Sequence, residues 1–430
     1  MSIISDDDFQ AVTKVTNIKY IRIVKYNLKI LNAWPSTLVG EMDSKYIRIR
    51  KTALMFVEAF CLLPQALYIR NSTGVLGFHE LGHSYITMFM NIVAVSRLVL
   101  TFSVKYYEIV ANFVNKIHLF HFKHQSEYAM ETHLLVHKLS RFFTLYINLL
   151  LYSGVCVFNL TLVYTNYVSG ALTNLRETEV PFQHALYMAV PFDYTTEYKG
   201  AIFIFWFNVI ISYICSSIFC TFDLFLSLLV FHLWGHLRIL IHNLENFPRP
   251  KQSYKPEGYA NEVNYEWYTK EENKEVADRL KDIINHHIFI TDYIKQMMNI
   301  FGPSLFVIYA FHQVSECLLL LQLAQLEAKA FFMYGPLTLT LVQQLIQLSF
   351  IFDMLQSMTS SLVRAVYSLP WECMDNPNRR IVNLLLSQCY RPLTPKALGV
   401  LDVGCKTMVA IFKNTLSYFI MLQTVAGMDK

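Results

Sequence analysis

LPWECMDNPNRR (369–380), RPLTPKALGVLDVGCKTMV (391–409) and AIFKNTLSYFIMLQTV (410–425) bring the chain almost to its end, with five residues beyond Val425. The last run is apolar enough for a membrane and too polar for a plain anchor. Lys413, Asn414, Thr415, Ser417, Gln423 and Thr424 interrupt it at helical spacing. Met421, Thr424 and Val425 fall on one face at i, i+3 and i+4. A membrane helix with one wetter face turns that face toward protein or water rather than lipid.

Working back from it, apolar runs of bilayer length, about 20 residues, recur near 52–69, 75–96, 138–164, 200–231, 288–320, 331–362 and 405–426. The 430 residues are 54% hydrophobic and only 16% charged, against about a quarter charged in soluble domains. The expected fold is an all-α membrane protein with seven transmembrane helices. Lys and Arg set its orientation. With the N-terminus inside, the inner segments hold 29 of the 36 basic residues. The outer segments hold five: Arg70, Arg176, Lys199, Lys329 and Lys430. The N-terminus is therefore expected inside and, with an odd number of spans, the C-terminus outside. A G-protein-coupled receptor requires the opposite bias. The sequon Asn71-Ser72-Thr73 falls on an outer loop, which makes Asn71 the candidate glycosylation site.

Three regions follow. Residues 1–51 alternate Lys or Arg with Ile, Val, Tyr and Leu, a basic amphipathic segment on the inner side. It either lies on the membrane surface or packs on the inner loops. Its opening residues lack a leader-like apolar core, so targeting is expected from the spans themselves. Residues 52–362 carry spans one to six, with an inner insert at about 232–285. Its FHLWGHLRILIHNLE continues span four as a helix, and EWYTKEENKEVADRLKDIINHH leads as a charged helix into span five. Residues 363–430 hold the inner connection and the last helix.

The sharpest chemical motif is His79-Glu80-Leu81-Gly82-His83, an H-E-x-x-H pattern that puts two His on one helix face with a Glu base between them. An intramembrane zinc metalloprotease is the enzyme alternative it suggests. Asp402 is the tempting third ligand but belongs to the inner side, a bilayer away from the motif. Without a third ligand the residues read as polar groups at an outer vestibule. His118, His121 and His124 read as polar residues of an inner helix. The eight cysteines have neither metal-ligand nor disulfide-framework spacing. No catalytic residue, cofactor, metal or nucleic-acid partner is expected.

The outer halves of spans two to six are rich in aromatic, Met and small residues. The candidate ligand-binding sets are His83, Ile86, Thr87 and Met90; Gly154 and Cys156; Phe203, Trp206, Phe207 and Ile210; Tyr309; and Met333, Pro336 and Leu337. A mostly apolar pocket with a few polar groups suits a flexible aliphatic ligand with one hydrogen-bonding head. Aromatic stripes of this kind also serve helix packing or lipid contact.

The order LPWE, a basic pair, R-P-L, K-A-L-G-V-x-D-V-G, T-M-V and S-Y-F resembles the C-terminal signature of insect odorant receptors, nearest the moth sex-pheromone branch. The resemblance implies a subunit of a ligand-gated cation channel in the plasma membrane of olfactory sensory neurons. It implies a heterotetramer with a shared co-receptor subunit, the last helix of each subunit lining a central pore and residues 369–398 forming an inner anchor. Carried over by position, Met421 matches the extracellular gate, with Gln423, Thr424 and Val425 beyond it. The family's gate residue is usually smaller and branched, so Met421 departs from the pattern and suits a subunit that relies on its partner for the pore. The ligand-binding bundle then comprises residues 52–362, and the moth branch implies long-chain unsaturated acetates, alcohols or aldehydes as ligands. Gustatory receptors share the pore architecture; the long inner insert and the LPWE region favour the odorant branch.

Overall fold

The computed structural model describes residues 13–42, 45–172, 180–251, 253–254, 265–324, 328–391 and 395–428. Ten α-helices carry the described chain: α1 Lys19–Ile30, α2 Ile47–Ser72, α3 Phe78–Leu100, α4 Val104–Asn112, α5 Glu127–Val168, α6 Tyr198–Glu245, α7 Lys270–Leu323, α8 Ala328–Tyr367, α9 Asn376–Cys389 and α10 Cys405–Met428. Six of them, α2, α3 and α5 to α8, are long and apolar enough to cross a membrane by length and composition. Helix α10, of 24 residues, has the length for a seventh span. Two short two-stranded hairpins, 253–254 with 265–266 and 396–397 with 401–402, are the strand structure seen among the described residues.

The spans run on well past the bilayer at their inner ends. Helix α6 continues unbroken to Glu245, and α7 begins at Lys270 under a capping box. There the Thr269 hydroxyl accepts the Glu272 N–H, and the Glu272 carboxylate accepts the Thr269 N–H. Ser126 caps α5 and Asp375 caps α9 by a single bond each, accepting the Ala129 and Asn378 N–H. Helix α6 is the axis of the bundle: 83% of its most apolar window is buried, against 22% for α2 and for α5. Phe56, Phe60 and Leu63 on α2, and Phe142, Leu145 and Leu149 on α5, are exposed in consequence. Contiguous apolar surface on this scale marks a face that meets lipid or another protein.

Helix α1 resolves the two sequence readings of its segment. It packs against α5 and α6 and buries Tyr20, Ile21, Val24 and Leu28, so its apolar face is covered by protein. Two buried histidines fix it. His118 Nδ1 accepts the Phe120 N–H and His232 Nδ1 accepts the Leu119 N–H, so each neutral ring carries its proton on Nε2. Both Nε2 atoms then point at the Tyr20 hydroxyl oxygen, at 2.7 and 3.3 Å. Burial, and then the neighbouring histidines, hold the His118 imidazole well below its ordinary 6.5. The unfolded imidazole takes its proton near that ordinary value while the folded one refuses it. Stability is therefore complete above about pH 6.5 and falls as the pH drops below it. Thermal unfolding of the detergent-solubilised chain should show this acid limb, and His118→Gln should flatten it.

The other inner-side device is the hairpin after α9. Leu398 and Gly399 both take positive φ, 52° and 72°, as the central pair of a turn closed by the Val400 N–H on the Ala397 carbonyl at 3.1 Å, within the three-residue loop that joins the strands. Gly399 takes it freely and Leu398 at a cost. The turn lies against α7, where a Cβ at Gly302 would come within 3.4 Å of the Leu398 nitrogen. Helix α9 is pinned to α7 because the Asn378 side chain donates to the Asn273 carbonyl at 2.9 Å. Helix α10 then rises along α7 and α8. It buries Ile411 and Thr415 and leaves Leu416, Tyr418, Ile420 and Met421 exposed.

Candidate functional site

Helices α3, α5, α6 and α8 do not close completely toward the end of the bundle that carries Asn71. They enclose a cavity of about 160 Å³. Helix α6 contributes Ile211, Ser212, Cys215, Ser216, Phe219, Cys220 and Asp223, a single stripe at three- and four-residue steps. Those twelve residues of rise make the cavity about 18 Å deep. Helix α5 faces it with a stripe from Ile147 through Leu151, Gly154 and Phe158 to Thr161. Thr87, Met90 and Asn91 come from α3, and Pro336, Leu337, Thr340, Leu341, Gln343, Gln344 and Gln347 from α8.

The loop of residues 180–197 forms the roof, where Ala185 and Leu186 touch the cavity. The loop is tied down at several points. The Ala189 N–H donates to the Pro64 carbonyl at 2.9 Å, and His83 Nε2 donates to the Ala185 carbonyl at 2.7 Å. His184 Nε2 donates to the Tyr194 carbonyl at 3.0 Å, and the Asp193 carboxylate accepts the Thr195 N–H at 2.8 Å. Where α6 leaves the roof, a Cβ at Gly200 would stand 2.3 Å from the Asp193 carbonyl oxygen and 3.1 Å from Tyr194 Cα. Backbone on both sides cannot give way. Gly200→Ala should cost about 1–3 kcal/mol and displace the roof, which melting curves and ligand dose–response will read together.

The floor is polar. Arg97 from α3, 2% exposed, is ion-paired with Asp223 and donates through Nη1 to the Phe219 carbonyl at 2.6 Å. Its guanidinium lies 5.0 Å from the centre of the Phe219 ring. Gln344 donates its amide to the second oxygen of Asp223. The charges of the pair are thus compensated beneath a mostly apolar shaft.

Of the residues expected to bind ligand, Thr87, Met90, Gly154, Pro336 and Leu337 line this cavity. His83 sits above it holding the roof, its ring 5.9 Å from that of Tyr334. Ile86 and Tyr309 are buried in the core, and the Tyr309 hydroxyl bonds Ser349 at 3.1 Å. Phe207 is half-buried beside Ile211 and Leu186. Cys156 is exposed on α5. Phe203, Trp206 and Ile210 are 63%, 60% and 56% exposed, on the face of α6 opposite the cavity stripe. The side chain of Met333 lies outside the described residues. At the C-terminus Met421 is 55% exposed and the Thr424 hydroxyl bonds back to the Ile420 carbonyl. The side chains of Gln423 and Val425 lie outside the described residues. Asn71 is exposed in the last turn of α2.

Sequence reasoning missed the floor. Arg97 falls just past the run 75–96 and Asp223 inside the run 200–231, and only the packing of α3 on α6 shows that they lie at one depth. The triplet Gln343, Gln344 and Gln347 in VQQLIQ was the available signal, three amides within one and a half turns of an apolar helix.

Of the H-E-x-x-H reading, the described members His83 and Asp402 stand apart. His83 is committed to the Ala185 carbonyl, and Asp402 pairs with Lys396 in the hairpin after α9, at the other end of the bundle. Among the described residues no group of three or more His, Cys, Asp or Glu side chains is placed to hold a metal ion. The side chains of His79 and Glu80 lie outside the described residues.

Comparison with known proteins follows the same line. A family described as the 7tm odorant receptor matches residues 77–416. The fold superposes on the insect olfactory receptor OR5 from Machilis hrabei with a TM-score of 0.76 and 15% identity, covering 95% of this chain and 98% of that one. The same receptor in complex with eugenol gives 0.76 and 15%, over 96% and 99%. No curated protein matches by sequence. Family and fold are those of a receptor and not of a known enzyme family.

Proposed function

The chain belongs to the 7tm odorant receptor family of insects, and on that premise we propose that it is an odorant-binding subunit of a ligand-gated, non-selective cation channel. The observation that carries the reading is the cavity between α3, α5, α6 and α8, mostly apolar along its shaft, with a few hydroxyls and amides, and charged at its floor. It has the character needed to bury a flexible aliphatic molecule and orient it by one polar end. A receptor of this fold solved in complex with eugenol supports a small organic ligand. Thr87, Met90, Gly154, Pro336 and Leu337 are the side chains we assign to ligand contact. The pheromone-like sequence signature near the C-terminus supports a long-chain acetate, alcohol or aldehyde.

The remaining assignments rest on charge and surface. The excess of Lys and Arg at the end that carries α1 and α9 supports an inside N-terminus. Exposed Leu416, Tyr418, Ile420 and Met421 on α10 supply a face for neighbouring subunits and a pore. We assign the pore to Met421, Gln423, Thr424 and Val425, with the co-receptor subunit completing a heterotetramer in the plasma membrane of olfactory neurons. Residues 369–398 then form the inner anchor, and Asn71 carries glycan on the outer side. Ligand opens such a channel only by as much as it prefers the open arrangement, tenfold for each 1.4 kcal/mol or so.

The test is voltage-clamp current from cells expressing this chain with and without a co-receptor subunit, under a panel of long-chain alcohols, acetates and aldehydes. A fast ligand-specific cation current from the pair, insensitive to G-protein blockade, is the expected result. Current from this chain alone would overturn the dependence on a partner. Silence of a surface-expressed pair to the whole panel would overturn the ligand class.

A further inference from the structure

We propose that the ligand reaches its cavity sideways, out of the outer leaflet of the membrane, through a cleft between α5 and α8. The inference rests on the odorant-binding reading above and names the phase from which that site is filled.

The cavity walls are unequal. On the side of α3 and α6, Thr87, Asn91, Ile211, Cys215, Phe219 and Asp223 line it and are buried. On the side of α5 and α8 the lining reaches the outer surface as well: Val157 is 44% exposed, and Pro336 is exposed too. Gly154, Phe158, Thr161, Leu337 and Thr340 are half-buried around them. Exposure to the cavity alone would fall on every wall alike, so this excess comes from outside the bundle. The two helices are neighbours. Lower down, Ile147 and Leu151 on α5 and Leu341 on α8 are buried and close the seam. The cleft is therefore confined to the level of Gly154 to Thr161.

That level lies in hydrocarbon. Tyr164 and Tyr167 are exposed near the outer end of α5, as rings at a membrane–water interface are. Val157 stands seven and ten residues before them, about 10–15 Å down the helix. The outer half of a bilayer core is about 15 Å deep. The rim is dressed for such a surrounding. The Thr161 hydroxyl donates to the Val157 carbonyl and the Thr340 hydroxyl to the Pro336 carbonyl, each at 2.8 Å. Both hydroxyls are thus satisfied within their own helices and ask nothing of lipid.

The way in from water is held shut. Besides its bonds to Pro64 and His83, the roof is gripped by Asn166 of α5, which donates to the Gln183 carbonyl at 2.9 Å and accepts the Gln183 N–H at 2.8 Å. Asn208 of α6 donates to the Leu186 carbonyl at 3.3 Å. Four helices therefore hold one loop. A long-chain ligand has no need of that door, because each methylene favours the bilayer over water by about fourfold. Such a molecule is concentrated in the leaflet into which the cleft opens.

The experiment times the onset and washout of current from the chain paired with a co-receptor subunit, with tetradecanol, tetradecanal and tetradecyl acetate as probes. Val157→Trp and Thr340→Trp place an indole in the mouth of the cleft. Each should slow onset and washout together by about tenfold or more, since an obstructed path raises the barrier in both directions. The half-maximal concentration should move far less than either rate. Leu160→Trp, on an exposed residue of α5 outside the cavity lining, should leave both rates unchanged. Asn166→Ala frees the roof at one point and should not quicken onset. Onset that quickens in Asn166→Ala, or that neither rim variant slows, puts the entrance at the roof and overturns the proposal while the odorant-binding reading stands. Faster washout at an unchanged onset in the rim variants marks contact residues rather than a route, and overturns it as well. Silence of the surface-expressed parent pair to every probe overturns the long-chain ligand reading itself, and the route with it.

Discussion

Asp223→Ala is expected to destabilise the chain by about 3–5 kcal/mol and to remove most of it from the cell surface. The reason lies in what remains. Arg97 is 2% exposed, and without Asp223 its guanidinium keeps backbone carbonyls and the face of Phe219 but no counter-charge. Gln344 loses its acceptor at the same stroke. An uncompensated charge in the middle of a helix bundle takes a large share of the roughly 5–15 kcal/mol that holds a typical domain together. The double variant Arg97→Met with Asp223→Leu should recover much of the loss, because apolar residues of similar size often replace a buried ion pair at little cost. Melting of detergent-solubilised protein, followed by size exclusion, measures both. A single variant as stable as the parent would show that the pair does not hold α3 to α6.

Gly154→Phe is the opposite kind of change, expected to leave the fold intact and to raise the effective ligand concentration at least about a hundredfold. A Cβ at Gly154 meets nothing within 4 Å, and the residue lines the cavity. A ring placed there projects into the space a ligand would fill. The backbone does not resist, since a glycine inside a helix costs about 1 kcal/mol relative to alanine. Gly154→Ala is the control: more stable by a fraction of that amount, with a small change in sensitivity. Dose–response currents from the co-expressed pair separate the two variants. Equal responses in both would place the ligand elsewhere.

These two residues mark what could and could not be seen in the sequence. The spans, the helical continuation of α6 past residue 231 and the charged helix before span five were legible, because length, hydropathy and charge report them directly. The polar floor was not, because Arg97 and Asp223 lie 126 positions apart and only the packing of α3 on α6 joins them. Helix α6 shows the deeper difficulty. Phe203, Trp206 and Ile210 face outward while Ile211, Cys215 and Phe219 face the cavity. In water a hydrophobic stripe identifies the inner face, but in lipid both faces are apolar and the stripe loses its direction. Small and amide residues were the better guide. Gly154, Ser212, Ser216 and Gln343, Gln344 and Gln347 of α8 all turn inward to the cavity.

The seat of α1 sets an order of manufacture. Tyr20 meets a histidine 212 positions later in the chain. At roughly 5–20 residues per second, a ribosome reaches that partner about 10–40 s after α1 has been made. Until α5 and then α6 have been made, the greasy side of α1 lacks its full cover, and a basic amphipathic helix in that condition settles at a lipid headgroup layer. The two readings of the N-terminal segment thus become successive addresses of one helix, first the membrane during synthesis and then the finished bundle.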